Sequence, residues 1–249
     1  MARWALQPAG DQPHATAGVP GRAIGVCLLV VCASYNNLAN LLLEMERLVT
    51  YLAANGGFAA AAALAGARLL QLRWSDLGLS YERRYVVRGL GWGLAVGLSI
   101  GAPVILAAPL VDLLGLQVAD ARVAGITGPD LGLRVGARFL LGTAIVEELV
   151  FRGVLYGWLR RRLTPWRAAA ASAAGFGLWH VVPTIQTLEK NELSAGWWAL
   201  AVPGAVALTF LGGILLAFLR EKTGSLLSPI AAHWLINSLA ATGAFLAIA

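Results

Sequence analysis

Charge is scarce in this sequence. Asp, Glu, Lys and Arg make up 13% of the chain against 58% hydrophobic residues, a balance far outside that of soluble globular domains. Cysteine is scarcer still. Cys27 and Cys32 both fall in the first apolar run, where a thiol behaves as a small hydrophobe, so neither a disulfide framework nor a zinc ribbon is available. The chain reads as having no HExxH, no GxGD, no GxSxG elbow and no P-loop, which argues against a zincin and an energy-coupled pump. Nor does it show an internal repeat of the sort that builds many transporters.

What is present is a series of apolar runs of spanning length, with the few charges gathered in short clusters between them. That pattern predicts an all-α fold, a polytopic transmembrane bundle of about seven to eight helices. Seven segments are expected, near 23 to 45, 48 to 70, 86 to 115, 131 to 159, 166 to 183, 196 to 219 and 225 to 248. An eighth would arise if the third breaks near Pro103 and Pro109. Residues 1 to 21, with Pro8, Pro13 and Pro20, read as a mobile tail, residues 22–249 as a single transmembrane domain, and about 85–249 as its catalytic core.

The pI of 9.9 does not point to nucleic acid, because the arginines sit at the ends of apolar runs rather than on one polar face. They read as topology signals. Arg68 to Arg88, Arg160 to Arg167, and Arg220 with Lys222 mark three loops as cytoplasmic, while Glu44, Glu46, Asp112, Asp120, Asp130, Glu189 and Glu192 mark the outer ones. The N-terminus is then inside and the C-terminus outside. Gly89, Gly93, Gly97 and Gly101 repeat every four residues along the third helix and predict a groove for close approach of another helix. Asn36 and Asn40 share a face of the first helix and are expected to hydrogen-bond a neighbour.

An ionisable group inside a spanning helix costs roughly 2.5 to 3.5 kcal/mol on insertion scales. Glu147, Glu148 and Arg152 in the fourth segment, His180 in the fifth and His233 in the seventh each require an explanation. Measured from the basic clusters at about 1.5 Å per residue, Glu147, His180 and His233 all reach a depth of about 16 to 20 Å. Antiparallel helices have no reason to place their few polar groups at one height unless those groups meet, so one polar cavity, open to the cytoplasm, is expected. Glu148 and Arg152 are four apart and predict a bracing salt bridge, with Glu147 rotated about 100° away. His233 and Asn237 are also four apart and point into one space.

The chemistry these types suggest is water attack on an amide. Glu147 and His180 would position and deprotonate the water, and His233 and Asn237 would donate to the oxyanion. Alternatively, Glu147, His180 and His233 could ligate a zinc ion with one open position. Two other classes stay open: a transporter or ion-binding protein using the same midplane groups as a relay, and a non-catalytic immunity or interaction protein that keeps them for stability. Phe176 and Trp179 read as cavity wall, and His14 as exposed.

Three motifs carry a resemblance. Glu147 to Arg152 fits EExxxR, Phe176 to His180 fits FxxxH, and His233 to Asn237 fits HxxxN. In this order, on separate apolar helices, they resemble the CAAX protease and bacteriocin-processing (Abi) family of intramembrane endopeptidases, which includes the type II CAAX prenyl endopeptidases. The resemblance spans about residues 85 to 249. It implies a membrane-embedded endopeptidase acting on a lipidated or membrane-associated peptide, with Glu147 and His180 activating water, His233 and Asn237 holding the oxyanion, and Glu148 and Arg152 in support. Members of that family have been described both as metalloproteases and as metal-independent glutamate proteases. The partners implied are the lipid bilayer and a peptide or lipidated protein.

Overall fold

The computed structural model describes residues 19–80, 82–114, 123–192 and 194–248. Most of the tail read into residues 1 to 21, with His14, and the outer-loop Asp120 lie outside these residues. Among the described residues there are eight helices and no strand. They are α1 (Val19–Leu42), α2 (Leu48–Leu69), α3 (Trp74–Leu77), α4 (Arg83–Leu113), α5 (128–160), α6 (Pro165–Lys190), α7 (Ala195–Thr223) and α8 (Leu227–Ile248).

The seven long helices occupy the seven expected segments. The eighth is α3, a single turn, and not a product of the prolines: α4 runs unbroken through Pro103 and Pro109. A helix of 31 residues is longer than a bilayer core requires, which tilt accommodates.

Five helices are long and apolar enough to cross a membrane by length and composition. α5 is not among them, because its charges interrupt the apolar run. It runs through the middle of the bundle, with Val150, Phe151, Arg152, Val154 and Leu155 fully enclosed. Neighbouring helices rather than lipid surround its ionisable groups, the arrangement that makes such groups tolerable at depth. A capping box starts α5. Thr127 Oγ1 accepts from the Asp130 amide, and the Asp130 carboxylate accepts from the Thr127 amide at 2.9 Å, which satisfies two orphan donors of the first turn. The hydrogen bonds from Thr127 hold the Asp130 carboxyl below its ordinary range. α5 is wound in the wider i→i+5 pattern over Arg134–Ala144 and Leu149–Leu155, on either side of Glu147 and Glu148. Such stretches are rare and recur at functional sites.

The three basic loops meet at one end of the bundle. Arg161 donates to the carbonyls of Leu70 and Gln71 and to Asp76, Arg220 donates to the carbonyls of Ser75 and Asp76, and Arg160 pairs with Glu221 at 3.0 Å. Gly78 lets α3 dock there. Its φ of +75° suits glycine, and a Cβ on it would fall 2.2 Å from Arg220 Nε. At the other end, Lys190 pairs with Glu46 and Arg138 donates to the Met45 carbonyl. That pairing holds the Glu46 carboxyl below its ordinary range, through the Lys190 hydrogen bond and charge.

The glycine row of α4 receives α8. A Cβ at Gly93 would lie 2.4 Å from the Ser228 carbonyl oxygen, and Cβ atoms at Gly97 and Gly101 would lie 2.8 and 2.6 Å from side-chain atoms of Leu235 and Leu239. Backbones this close gain dispersion that larger residues would forbid. The row also fixes the rotation of α8: the face holding Ser228, Ala231, Ala232, Leu235 and Leu239 is spent on α4, so His233 is turned toward α5.

Candidate active site

Glu147 sits on the inner face of α5, 5% exposed. Its Oε1 accepts a hydrogen bond of 3.1 Å from the indole Nε1 of Trp179. Its Oε2 is buried and has no hydrogen-bond partner, so one oxygen is fixed and the other is available.

Glu148 and Arg152, both fully enclosed, form the expected pair at 3.0 Å. The guanidinium lies over the Phe176 ring at 4.1 Å, and Gly213 of α7 leaves it room, since a Cβ there would stand 3.1 Å from Arg152 Nη2. A buried ion pair of this kind persists only with good geometry and further partners. His233 supplies one: its Nδ1 lies 2.8 Å from Glu148 Oε1.

The two carboxylates are less separate than a rotation of 100° suggests. The His233 imidazole fills the angle between them, Nδ1 against Glu148 and Nε2 3.9 Å from Glu147 Oε2. Because a carboxylate only accepts, Nδ1 carries a proton. Nε2 then faces the free oxygen of Glu147.

His180 lies at a break in α6, where the first half ends at Leu178 and the second begins at Val181. Its Nδ1 is 2.8 Å from the Phe176 carbonyl. A carbonyl can only accept, so Nδ1 is the protonated nitrogen, and in the neutral ring Nε2 keeps its lone pair. Phe176 stands between the two imidazoles, with ring centroids 4.7 Å from His180 and 5.9 Å from His233, both edge-on. Asn237 is half-buried one turn beyond His233 and makes no side-chain hydrogen bond to a described residue.

The structure therefore gathers Glu147, Glu148, Arg152 and His233 in direct contact or near it, brings His180 to the same place across Phe176, and leaves Asn237 adjacent and uncommitted. Among the described residues no three His, Cys, Asp or Glu side chains converge as metal ligands would.

Two features went unread in the sequence. Trp179, taken as wall, gives Glu147 its one side-chain hydrogen bond among the described residues. Asn37 holds the α6 break, and its signal was present as a third amide beside Asn36 and Asn40 in an apolar run. The string GxSxG does occur, at Gly97-Leu98-Ser99-Ile100-Gly101, but not as an elbow. Ser99 is exposed in the middle of α4 with its hydroxyl bonded to the Ala95 carbonyl at 2.8 Å, and no strand-to-helix elbow presents it.

A cavity of about 1110 Å³ opens at the end of the bundle opposite the basic loops, between Glu46, Asp130, Arg138, Gln186 and Lys190. Glu147, His180, His233 and Asn237 do not line it.

Residues 130–239, somewhat under half of the chain, match the family model described as type II CAAX prenyl endopeptidase Rce1-like. The matched segment begins at the capping box of α5 and ends just beyond Asn237, so it contains all three motifs. No curated protein and no solved structure matches the chain. The family is one of membrane-embedded proteases acting on protein substrates.

Proposed function

We propose, from an Rce1-like core, that this integral membrane protein hydrolyses a peptide bond of a membrane-associated or prenylated CAAX-type substrate, with water activated by Glu147 and His180. The observation that carries the reading is the division of labour on Glu147. One oxygen is anchored by Trp179 while the other, buried and unpartnered, faces His233 Nε2 at 3.9 Å. Glu148 Oε2 is also buried without a partner, but its Oε1 is tied up by Arg152 and His233; the free oxygen of Glu147 is the one that faces an imidazole nitrogen, and leaving such an acceptor unsatisfied costs about 1 to 3 kcal/mol.

In the proposed step, Glu147 Oε2 and His180 Nε2 accept hydrogen bonds from one water. As the water oxygen attacks the carbonyl carbon, its proton passes to this acceptor pair, and the carbonyl oxygen gains the charge. Asn237 Nδ2 and His233 donate to that oxyanion, His233 through Nε2 when both ring nitrogens carry protons. The captured proton then goes to the departing amine. Glu148 and Arg152 set the His233 ring, and Glu148 takes the Nδ1 proton as acceptor. The site is reached from the end where the basic loops gather, the cytoplasmic end by the positive-inside rule.

A transporter using the same groups would need a route through the bundle and would cleave nothing. The test is a cleavage assay on purified protein with prenylated and unprenylated forms of one CAAX-type peptide, with and without chelator. The reading expects cleavage of the prenylated peptide that persists in chelator. Cleavage abolished by chelator and restored by zinc would replace it with the metal-dependent mechanism, and no cleavage of any lipidated peptide, with solute uptake instead, would remove the peptidase reading.

A further inference from the structure

We infer that Asn36 and Asn37 of α1 are positioning residues for this site, acting through the broken turn of α6 that carries Trp179 and His180. The inference rests on the reading that Glu147 and His180 do the chemistry.

A break in a spanning helix strips backbone groups of their partners, and in a bilayer no water replaces them. At this break the replacements come from one place. Asn37 Nδ2 donates to the Leu178 carbonyl at 2.7 Å, while Asn37 Oδ1 accepts from the Val182 amide at 2.8 Å. Asn36 Nδ2 donates to the Trp179 carbonyl at 3.0 Å. A single amide thus serves both sides of the break, and its neighbour serves the residue between. Asn40 Nδ2 in turn donates to Asn36 Oδ1 at 3.0 Å, and the Asn40 carbonyl accepts from Gln186 of the second half of α6. The contacts run along the break and not merely beside it.

The consequence is geometric. Trp179 keeps helical geometry, φ −56° and ψ −25°, and its indole reaches Glu147. The chain leaves the helix at His180, φ −97° and ψ 3°, so the broken turn sets where that ring stands, with Nδ1 on the Phe176 carbonyl. Packing alone does not require two adjacent amides in an apolar helix. α1 also lies outside the segment that matches the family, so the proposed chemistry depends on an element beyond that core.

The test uses the full chain. Asn37→Ala is expected to lower kcat on the order of 10²-fold, the effect of misplacing a reacting group by about 1 Å, with KM within about twofold. Thermal unfolding should fall by about 4 °C, as for two typical interhelical hydrogen bonds. The discriminating readout is NMR of isotope-labelled histidine, practical because the chain has 3 His. The His180 resonance should lose its fixed Nδ1–H tautomer while that of His233 stays in place. Asn37→Asp, which keeps the acceptor and loses the donor, should fall between, and Asn36→Ala decides the matter if Asn37→Ala does not fold. An unchanged His180 resonance with unchanged kcat overturns the inference, as does a loss of activity in which both histidine resonances and the unfolding temperature move together. If instead His180→Ala cleaves like the parent while Asn37→Ala still moves the His180 resonance, the clamp stands and the peptidase assignment of His180 falls.

Discussion

At the scale of the residue, what separates a working carboxylate from a structural one is where its oxygens go. Each carboxylate keeps one buried oxygen without a partner, but the bound oxygen of Glu148 is committed to the charged Arg152 and to His233, whereas that of Glu147 is held by the neutral indole of Trp179 and its free oxygen faces His233 Nε2. Arg152→Ala should therefore act on stability first. It leaves a buried carboxylate with only His233 beside it, a change expected to cost about 3 to 5 kcal/mol and visible as a lowered unfolding temperature in detergent. A fully stable but inactive variant would assign Arg152 a role in binding or chemistry. Trp179→Phe keeps the ring and removes the donor. With about 1.5 to 3 kcal/mol for a hydrogen bond to a charged group, the expected loss is roughly 10- to 10²-fold in kcat, together with a lowered unfolding temperature, since the same bond and part of a fully buried ring are lost from the fold. Full activity would show that the indole only packs. Ser99→Ala should leave cleavage intact, as its hydroxyl only caps its own helix, and a loss of activity would reopen a serine mechanism.

At the scale of the element, α4 and α8 make one unit whose spacing is set by glycine. Gly93→Ala pushes a methyl group against the Ser228 carbonyl oxygen, and overpacking of this kind costs about 1 to 3 kcal/mol. Because Ser228 stands on the helix that carries His233, stability and activity should fall together. Gly91→Ala, with nothing within 4 Å, should change neither, and comparing the two unfolding temperatures checks the ladder. The glycine row was legible in the sequence because period four on an apolar helix means close packing, although the identity of its partner was not. The break in α6 had a local signal that went unread: Pro183 has no N–H for the Trp179 carbonyl four residues back and its ring crowds that carbonyl. What was not legible is that Asn36 and Asn37, far away in the chain, take up the groups the break frees.

For the whole molecule, the seven long helices could be read because the bilayer sets a length that apolar runs must meet. The motifs were legible for a related reason: charge at depth is costly, so the few charged groups stand out. Their geometry was not, since it depends on how α5, α6 and α8 are rotated. A helical wheel put Glu147 away from Glu148, yet an imidazole wedged between the two side chains touches one and approaches the other. The meeting of the three basic loops at one end makes sidedness testable. Single cysteines introduced after Arg160 and after Arg220, in a Cys27→Ala, Cys32→Ala background, should react with a membrane-impermeant thiol reagent only from the cytoplasmic side, and labelling from outside would invert the topology.

Hydrolysis by water held on Glu147 is tested most directly by Glu147→Gln, which preserves shape and the acceptor for Trp179 but cannot take a proton. Cleavage of a prenylated CAAX-type peptide in proteoliposomes should fall by roughly 10² to 10⁴-fold, with the unfolding temperature unchanged or raised, since a buried charge is removed. Cleavage at the parent rate by a folded Glu147→Gln protein would contradict the assignment of Glu147 as the base.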